Sequence, residues 1–261
     1  NRYARSYAAT IWTYARRYCY MLEGKFADLE SFTAAKRNNV IKSLTALCRF
    51  DGCYQQFKKQ LEESSVKYAR QTCVDSFVRI FTVKPDEFLS WLRDVRGKTD
   101  KDVTAFLRLL ALTGVRTGEA VSSLRKITEL SRENRLSEYY NSERQCLEHF
   151  RFKEFLREKK NVYISFAPES LISEVSMCKP LSYQGLRKRL KVQLKFNLAR
   201  DYFATYMLSR GIMREEIDLL QGRIPLNLFT RNYWSPSLKR LGKRVLTRVQ
   251  TLDQQLFHVD C

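Results

Sequence analysis

The chain reads as two mainly α-helical domains, the second carrying one small antiparallel β-sheet, and three observations set that expectation. Apolar residues recur at three- and four-residue intervals over most of the length, the spacing of a helix face. One stretch, Val162-Tyr163-Ile164-Ser165-Phe166, is instead β-branched and aromatic and stops at Pro168, the composition of a strand. The length of 261 residues suits two modest domains better than one, and 44% hydrophobic side chains supply enough apolar material for two packed cores.

Taken in order, Tyr3, Tyr7, Ile11, Tyr14 and Tyr18 follow one helix face, and Gly24 ends the segment; such a stripe is expected to face a core. A second helix runs through Val40, Leu44 and Leu47 to Asp51-Gly52, a third spans Phe57 to Leu61, and a fourth spans Val66 to Phe81. Lys84-Pro85-Asp86 then breaks the pattern. Pro85 disfavours helix at Lys84, and Asp86 is placed to cap a helix over Glu87 to Val95. The domain boundary is expected there, giving residues 1–84 and 85–261.

The second domain resumes with an apolar helix, Val103 to Leu112, ending at Thr113-Gly114. The sheet is expected within Leu136 to Ala167, and helices return from Tyr183 onward, with Phe203, Met207, Leu208, Ile212, Ile217 and Leu220 as their apolar series. The tail from Lys239 to Cys261, with Leu241, Val245, Leu246, Val249 and Leu252, is expected to dock either on its own domain or on a neighbouring subunit.

Several function classes drop out on composition. The longest uncharged apolar run, Leu109 to Val115, is far too short to span a bilayer. Asn1-Arg2-Tyr3-Ala4-Arg5 shows no secretory signal, and the absent first Met is the expected mark of a chain cut from a longer one. The seven cysteines (19, 48, 53, 73, 146, 178 and 261) lack the two-residue gap of a zinc knuckle or redox pair. With only His149 and His258 beside them, no metal and no other cofactor is expected. Scattered thiols of this kind are expected to be buried and reduced, in an intracellular protein. A histidine base is equally hard to support, which leaves Tyr, Lys, Arg, Asp and Glu as actors.

The charge points to a partner. The chain carries 47 Lys plus Arg against 28 Asp plus Glu, a net of +19, and from Lys179 to Gln250 sixteen cations face four acids. Such a concentration on a folded domain is the footprint of a phosphate backbone, so nucleic acid is the expected partner.

Three arginines stand among apolar or small residues, where a solvated charge is out of place. Arg116 follows the helix-ending Gly114, with Glu119 three residues on, close enough to hold a guanidinium. Arg200 opens a helix in Asn197-Leu198-Ala199-Arg200-Asp201-Tyr202-Phe203-Ala204-Thr205, and Arg223 follows Gly222. Ten residues later comes Tyr233, in Thr230-Arg231-Asn232-Tyr233-Trp234.

In this order and at these spacings, the second domain resembles the catalytic domain of tyrosine recombinases, and most closely the integrases of archaeal viruses and plasmids. The matching boxes are Thr113-Gly114-Val115-Arg116-Thr117-Gly118-Glu119-Ala120, then Arg200-Asp201-Tyr202-Phe203-Ala204-Thr205, then Leu220-Gln221-Gly222-Arg223-Ile224-Pro225 leading to Tyr233. The likeness covers roughly residues 86 to 250. The helical part before it is similar to the family's core-binding domain only in size and helix content.

The resemblance implies a DNA-cleaving and rejoining enzyme. Arg116, Arg200 and Arg223 would neutralise the non-bridging oxygens of a scissile phosphate, a task suited to planar, permanently charged guanidiniums. Tyr233 would attack phosphorus in line, leaving a 3′-phosphotyrosine and a 5′-hydroxyl. The family's general acid is a lysine on a β-hairpin. Lys160, just before the expected strand, is the preferred candidate here, with Lys159 and Lys153 as alternatives. Glu119 matches the acidic residue that orients the cluster. The family also implies a tetramer assembled on DNA.

One position departs from the pattern. Where the family commonly has His or Lys, three residues before the second arginine, this chain has Asn197. An amide hydrogen-bonds to phosphate but does not relay a proton, so acid–base work falls on the lysine alone, or Lys195 compensates, or the enzyme is slower. Tyr202 and Tyr206 lie on the helix after Arg200, and their spacing argues for packing. Two competing readings remain open at this point: relaxation of supercoils as in type IB topoisomerases, and DNA binding without catalysis, with Asn197 marking a decayed site.

Overall fold

The computed structural model describes residues 5–64, 66, 74, 85–156, 161–190, 194–224 and 237–258. The chain divides into two compact units, Asn1–Thr82 and Val83–Cys261.

In the first unit, helix α1 (Arg5–Tyr18) runs into a 3-10 turn (Cys19–Glu23), and Gly24 stops it in the left-handed region at φ 86°. A single turn, α2 (Asp28–Ser31), precedes α3 (Ala34–Phe50), which Thr33 caps by accepting the Lys36 amide at 3.4 Å. Helix α4 (Tyr54–Glu63) completes the described part. Met21, Leu29, Val40, Ile41, Leu44, Cys48 and Phe57 form the core, and α1 packs on α3. The aromatic stripe of α1 is a core face only in its second half: Tyr18 is buried, whereas Tyr7 is 45% exposed. Tyr3 and most of the fourth expected helix, over 66–81, lie outside the described residues.

The second unit opens with α5 (Pro85–Arg96). Pro85 itself takes the first helical position, for which its fixed φ is suited, so Asp86 falls in the first turn and not at the cap. Asp100 caps α6 (Lys101–Thr113), accepting the Val103 amide at 3.0 Å, and Gly114 ends it at φ 62°. Helix α7 (Thr117–Arg132) follows.

The sheet is antiparallel, in the order β1 (Tyr140–Asn141), β2 (Cys146–Leu147), β3 (Ser165–Phe166), with Tyr140 opposite Leu147 and Leu147 opposite Ser165. The expected strand over 162–166 is therefore shortened to its last two residues. Its first half bonds elsewhere: the Val162 amide donates to the Phe155 carbonyl at 3.2 Å, and the Phe150 amide to the Tyr163 carbonyl at 3.0 Å. These partners belong to two 3-10 turns (His149–Arg151 and Lys153–Phe155), which form no regular ladder.

Helix α8 (Glu169–Ser176) was not anticipated from sequence, because eight residues are too few to display a period; Leu171, Ile172 and Val175 bury it. Then come α9 (Tyr183–Leu190), α10 (Phe196–Ser209), α11 (Arg214–Leu220) and α12 (Leu238–Asp253). Within the apolar series, Phe203, Met207 and Ile212 are buried, while Leu208 is exposed, one residue and so about 100° round the helix from Met207.

Helix α10 packs on α5 and α6, and α6 and α7 both pack on α8. The tail docks on its own unit. Leu241, Val245, Val249 and Leu252 are buried, and α12 contacts α6 and β3. The Arg108 guanidinium bonds Asp253 of α12 at 2.7 Å and also pairs with Glu174 of α8. Where α12 crosses β3, a Cβ on Gly242 would lie 2.7 Å from the Phe166 ring.

His149 serves the core. Tyr139 donates its proton to Ser123 at 3.0 Å and so accepts from His149 Nδ1, at 2.7 Å, which leaves Nε2 to accept from Ser165 at 2.9 Å. Burial pushes this imidazole down to about 3, keeping it neutral.

Candidate functional site

Arg116 is the N-cap residue of α7, reached from α6 in a connection that only Gly114 permits. Gly114 is left-handed, and a Cβ there would fall 2.2 Å from Phe203 Cδ1, so the missing side chain is what lets α10 approach. Glu119, in the first turn of α7 and 2% exposed, accepts twice from Arg116: its Oε2 from the backbone N–H at 2.9 Å, its Oε1 from Nη1 at 2.7 Å. A buried carboxylate thus fixes both the start of the helix and the guanidinium above it.

Arg200 reaches from α10 into the same connection. Its Nη1 donates to the Gly114 carbonyl at 3.3 Å and its Nη2 to the Gln221 carbonyl at 2.8 Å. Gln221, 2% exposed, returns the bond through Nε2 to the Arg200 carbonyl at 3.1 Å. Burial, and then the positive charges of Arg116 and Arg223, push the Arg200 guanidinium down to about 10. It stays charged at neutral pH.

Arg223 leaves the end of α11 through left-handed Gly222, φ 71°. Its backbone N–H donates to the Asp218 carbonyl at 2.7 Å and its Nη1 to Asp218 Oδ1 at 3.0 Å, while its side chain stays 58% exposed. Gly222 lies directly against the chain at Asn161, where a Cβ would sit 1.8 Å from the Asn161 oxygen. That same oxygen accepts from Arg116 Nη1 at 3.3 Å. Three turns distant in sequence, at 114–116, 161 and 221–223, therefore share one locus with Arg200 beneath them.

Of the residues singled out from sequence, Arg116, Glu119, Arg200 and Arg223 are brought together. Lys159, Lys160 and Tyr233 lie outside the described residues. Lys153 is exposed on its 3-10 turn. Asn197 is exposed in the first turn of α10, and the Lys195 ammonium is held by Glu87 Oε1 at 2.6 Å, which ties it to α5. Tyr206 and Tyr202 pack as their spacing suggests: Tyr206 is buried, its ring stacks on Tyr202 at 6.4 Å, and Tyr202 meets Phe88 at 5.3 Å. Sequence reasoning missed Asn161 and Gln221. Asn161 acts through its backbone oxygen, which no side-chain pattern reveals; Gln221 is marked only as a polar residue between Leu220 and Gly222.

Three guanidiniums meet around one locus. Glu119 is paired to Arg116 and Asp218 to Arg223, while Arg200 donates to carbonyls and to no carboxylate among the described residues, which makes a site that favours an anion. A phosphate would relieve their mutual repulsion while the carbonyls of Gly114, Gln221 and Asn161 hold the forks in place. No helix among the described residues is long and apolar enough to cross a membrane. Comparison with protein families matches residues 80–249 to the model described as archaeal phage integrase. Neither the curated proteins nor the solved structures compared with the chain give a match.

Proposed function

The chain belongs to the archaeal phage integrase family, a family of DNA recombinases, and from that premise we propose that it cuts and rejoins duplex DNA through a 3′-phosphotyrosine on Tyr233. The observation that carries the reading is the meeting of Arg116, Arg200 and Arg223 where the turns at 114–116, 161 and 221–223 touch.

The residues divide the work as follows. Arg116, Arg200 and Arg223 bind the non-bridging oxygens and stabilise the charge that builds on pentavalent phosphorus. Tyr233 Oη attacks phosphorus and gives up its phenol proton to solvent, the bond to the 5′-oxygen breaks, and that oxygen takes a proton from Lys160, with Lys159 as the alternative donor. Lys160 is the residue before Asn161 in sequence, and the Asn161 carbonyl accepts from Arg116; that adjacency supports Lys160 as the donor. In the second half-reaction a 5′-hydroxyl from another strand attacks the phosphotyrosine, Tyr233 leaves, and the phosphodiester is restored without ATP. Glu119 orients Arg116 throughout, and Asn197 hydrogen-bonds to phosphate without relaying protons.

Residues 1–84 act as the core-binding domain, and residues 85–261 carry the catalysis. Exchange between two duplexes requires paired cuts, hence four copies on DNA. The test is a nicked suicide duplex carrying the attachment site, on which cleavage is irreversible. The wild type should form a covalent protein–DNA adduct and Tyr233→Phe none. Absence of an adduct from the wild type would reduce the protein to a DNA binder, and relaxation without exchange between matched sites would assign it topoisomerase chemistry.

A further inference from the structure

Helix α12 exposes Lys239, Arg240, Lys243, Arg244 and Arg248. Arg244 is tied down, donating to Glu216 Oε1 at 2.8 Å and to the Gly211 carbonyl at 2.9 Å. Lys239 and Lys243 instead border a groove of about 510 Å³ between α12 and the β1–β2 turn. Its floor includes Leu238, Gly242 and Leu246, and its far wall carries Arg144, with Glu143 the acid among its lining residues.

The wall formed by the turn is held by hydrogen bonds. The Arg144 amide donates to Asn141 Oδ1 at 3.0 Å, and the Gln145 carbonyl accepts from the Ala167 amide at 2.9 Å, which binds the turn to the chain beyond β3. Arg144 itself is half exposed and meets Glu148 only at 3.8 Å. Lys239 and Lys243 stand one helical turn apart, with Cβ atoms about 5–6 Å from each other. The spacing suits successive charges along a strand better than one compact anion.

We propose that this groove seats the sugar-phosphate backbone of the duplex flanking the phosphate cut by Tyr233. The inference rests on the functional reading above, because chain connectivity supplies the occupant. Lys239 lies six positions after Tyr233, so at full extension the two lie no more than about 20 Å apart. A duplex cut by Tyr233 thus has backbone within about 20 Å of Lys239, and the cations Arg144, Lys239 and Lys243 along the groove favour that polyanion as the occupant. The apolar floor fits the sugars, and Arg144, Lys239 and Lys243 fit the phosphates.

The experiment measures duplex affinity against salt for the wild type and for Arg144→Gln, Lys239→Gln, Lys243→Gln combined, with suicide-substrate adduct formation at saturating DNA in parallel. Losing three phosphate contacts should make the slope of log affinity on log salt shallower by about 2 to 3, with adduct formation at saturation unchanged. The double variant Lys239→Gln, Lys243→Gln, altered only on the exposed face of α12, should lose about 2 of slope and carries the test if the triple variant melts early. An unchanged slope alongside normal adduct formation overturns the groove while leaving the enzyme reading intact. An unchanged slope with loss of the DNA-bound oligomer also overturns it, assigning the groove to a neighbouring subunit. A wild type that neither binds duplex nor forms an adduct removes both readings.

Discussion

Gln221 and Arg200 brace each other in both directions: the Gln221 amide donates to the Arg200 carbonyl, and the Arg200 guanidinium donates to the Gln221 carbonyl. Gln221 is also the residue from which the chain turns toward Arg223, so one buried side chain sets the relation between two cations.

Gln221→Leu keeps the volume and deletes one arm of that brace. Displacing a positioned catalytic group by about 1 Å can cost roughly 10²-fold in rate, so adduct formation at saturating DNA should slow by about 10- to 100-fold. Duplex affinity, which depends on many phosphates, should barely move. Gln221→Asn, which retains an amide, should recover part of the rate. Equal losses in rate and affinity would assign Gln221 a general role in folding.

Gly222 and Gly24 are both left-handed, at φ 71° and 86°, but only Gly222 has a neighbour where a Cβ would point. Gly24→Ala should cost about 1–2 kcal/mol of conformational strain. Gly222→Ala must also displace the Asn161 oxygen, and with it the contact to Arg116. It should abolish adduct formation while Gly24→Ala retains it. Comparable activities for the two variants would separate the 161 and 222 turns from catalysis.

Much of this arrangement is written in the sequence as punctuation. Gly114 and Gly222 mark helix ends that place Arg116 and Arg223 in turns, and periodic apolar residues locate α6 and α10 beside those turns, as they locate α3 and α12 elsewhere. What escapes is either too short or too distant. Strands β1 and β2 have two residues each, below any legible alternation. The Tyr7 end of the α1 stripe has helical spacing yet is 45% exposed, since period reports a face and not its burial. Asn161 joins Arg116 across 45 residues through a carbonyl, an interaction that residue identity does not encode.

Arg200→Lys should show that the fork matters as well as the charge. The guanidinium spends Nη1 and Nη2 on two carbonyls and retains donors for phosphate, whereas an ammonium lacks the planar geometry to do all three. Adduct formation should fall by about 10²- to 10³-fold with little change in duplex affinity at fixed salt. A lysine variant within a few-fold of wild type would place Arg200 outside the reacting group.

His149 should make the fold acid-sensitive. Folded, it is held down to about 3 by burial, against 6.5 for the ordinary side chain. The unfolded chain therefore binds a proton between those values that the native state refuses, and stability must fall as pH drops through that window. The limiting slope is about 1.4 kcal/mol per pH unit, so denaturant titration should find roughly 2 kcal/mol less stability at pH 5 than at pH 7 from this group. His149→Phe removes the titration but leaves Ser165 without its partner. It should be less stable at pH 7 and lose that share of the pH dependence. An equal pH 5 penalty in both proteins would trace the acid sensitivity to groups other than His149.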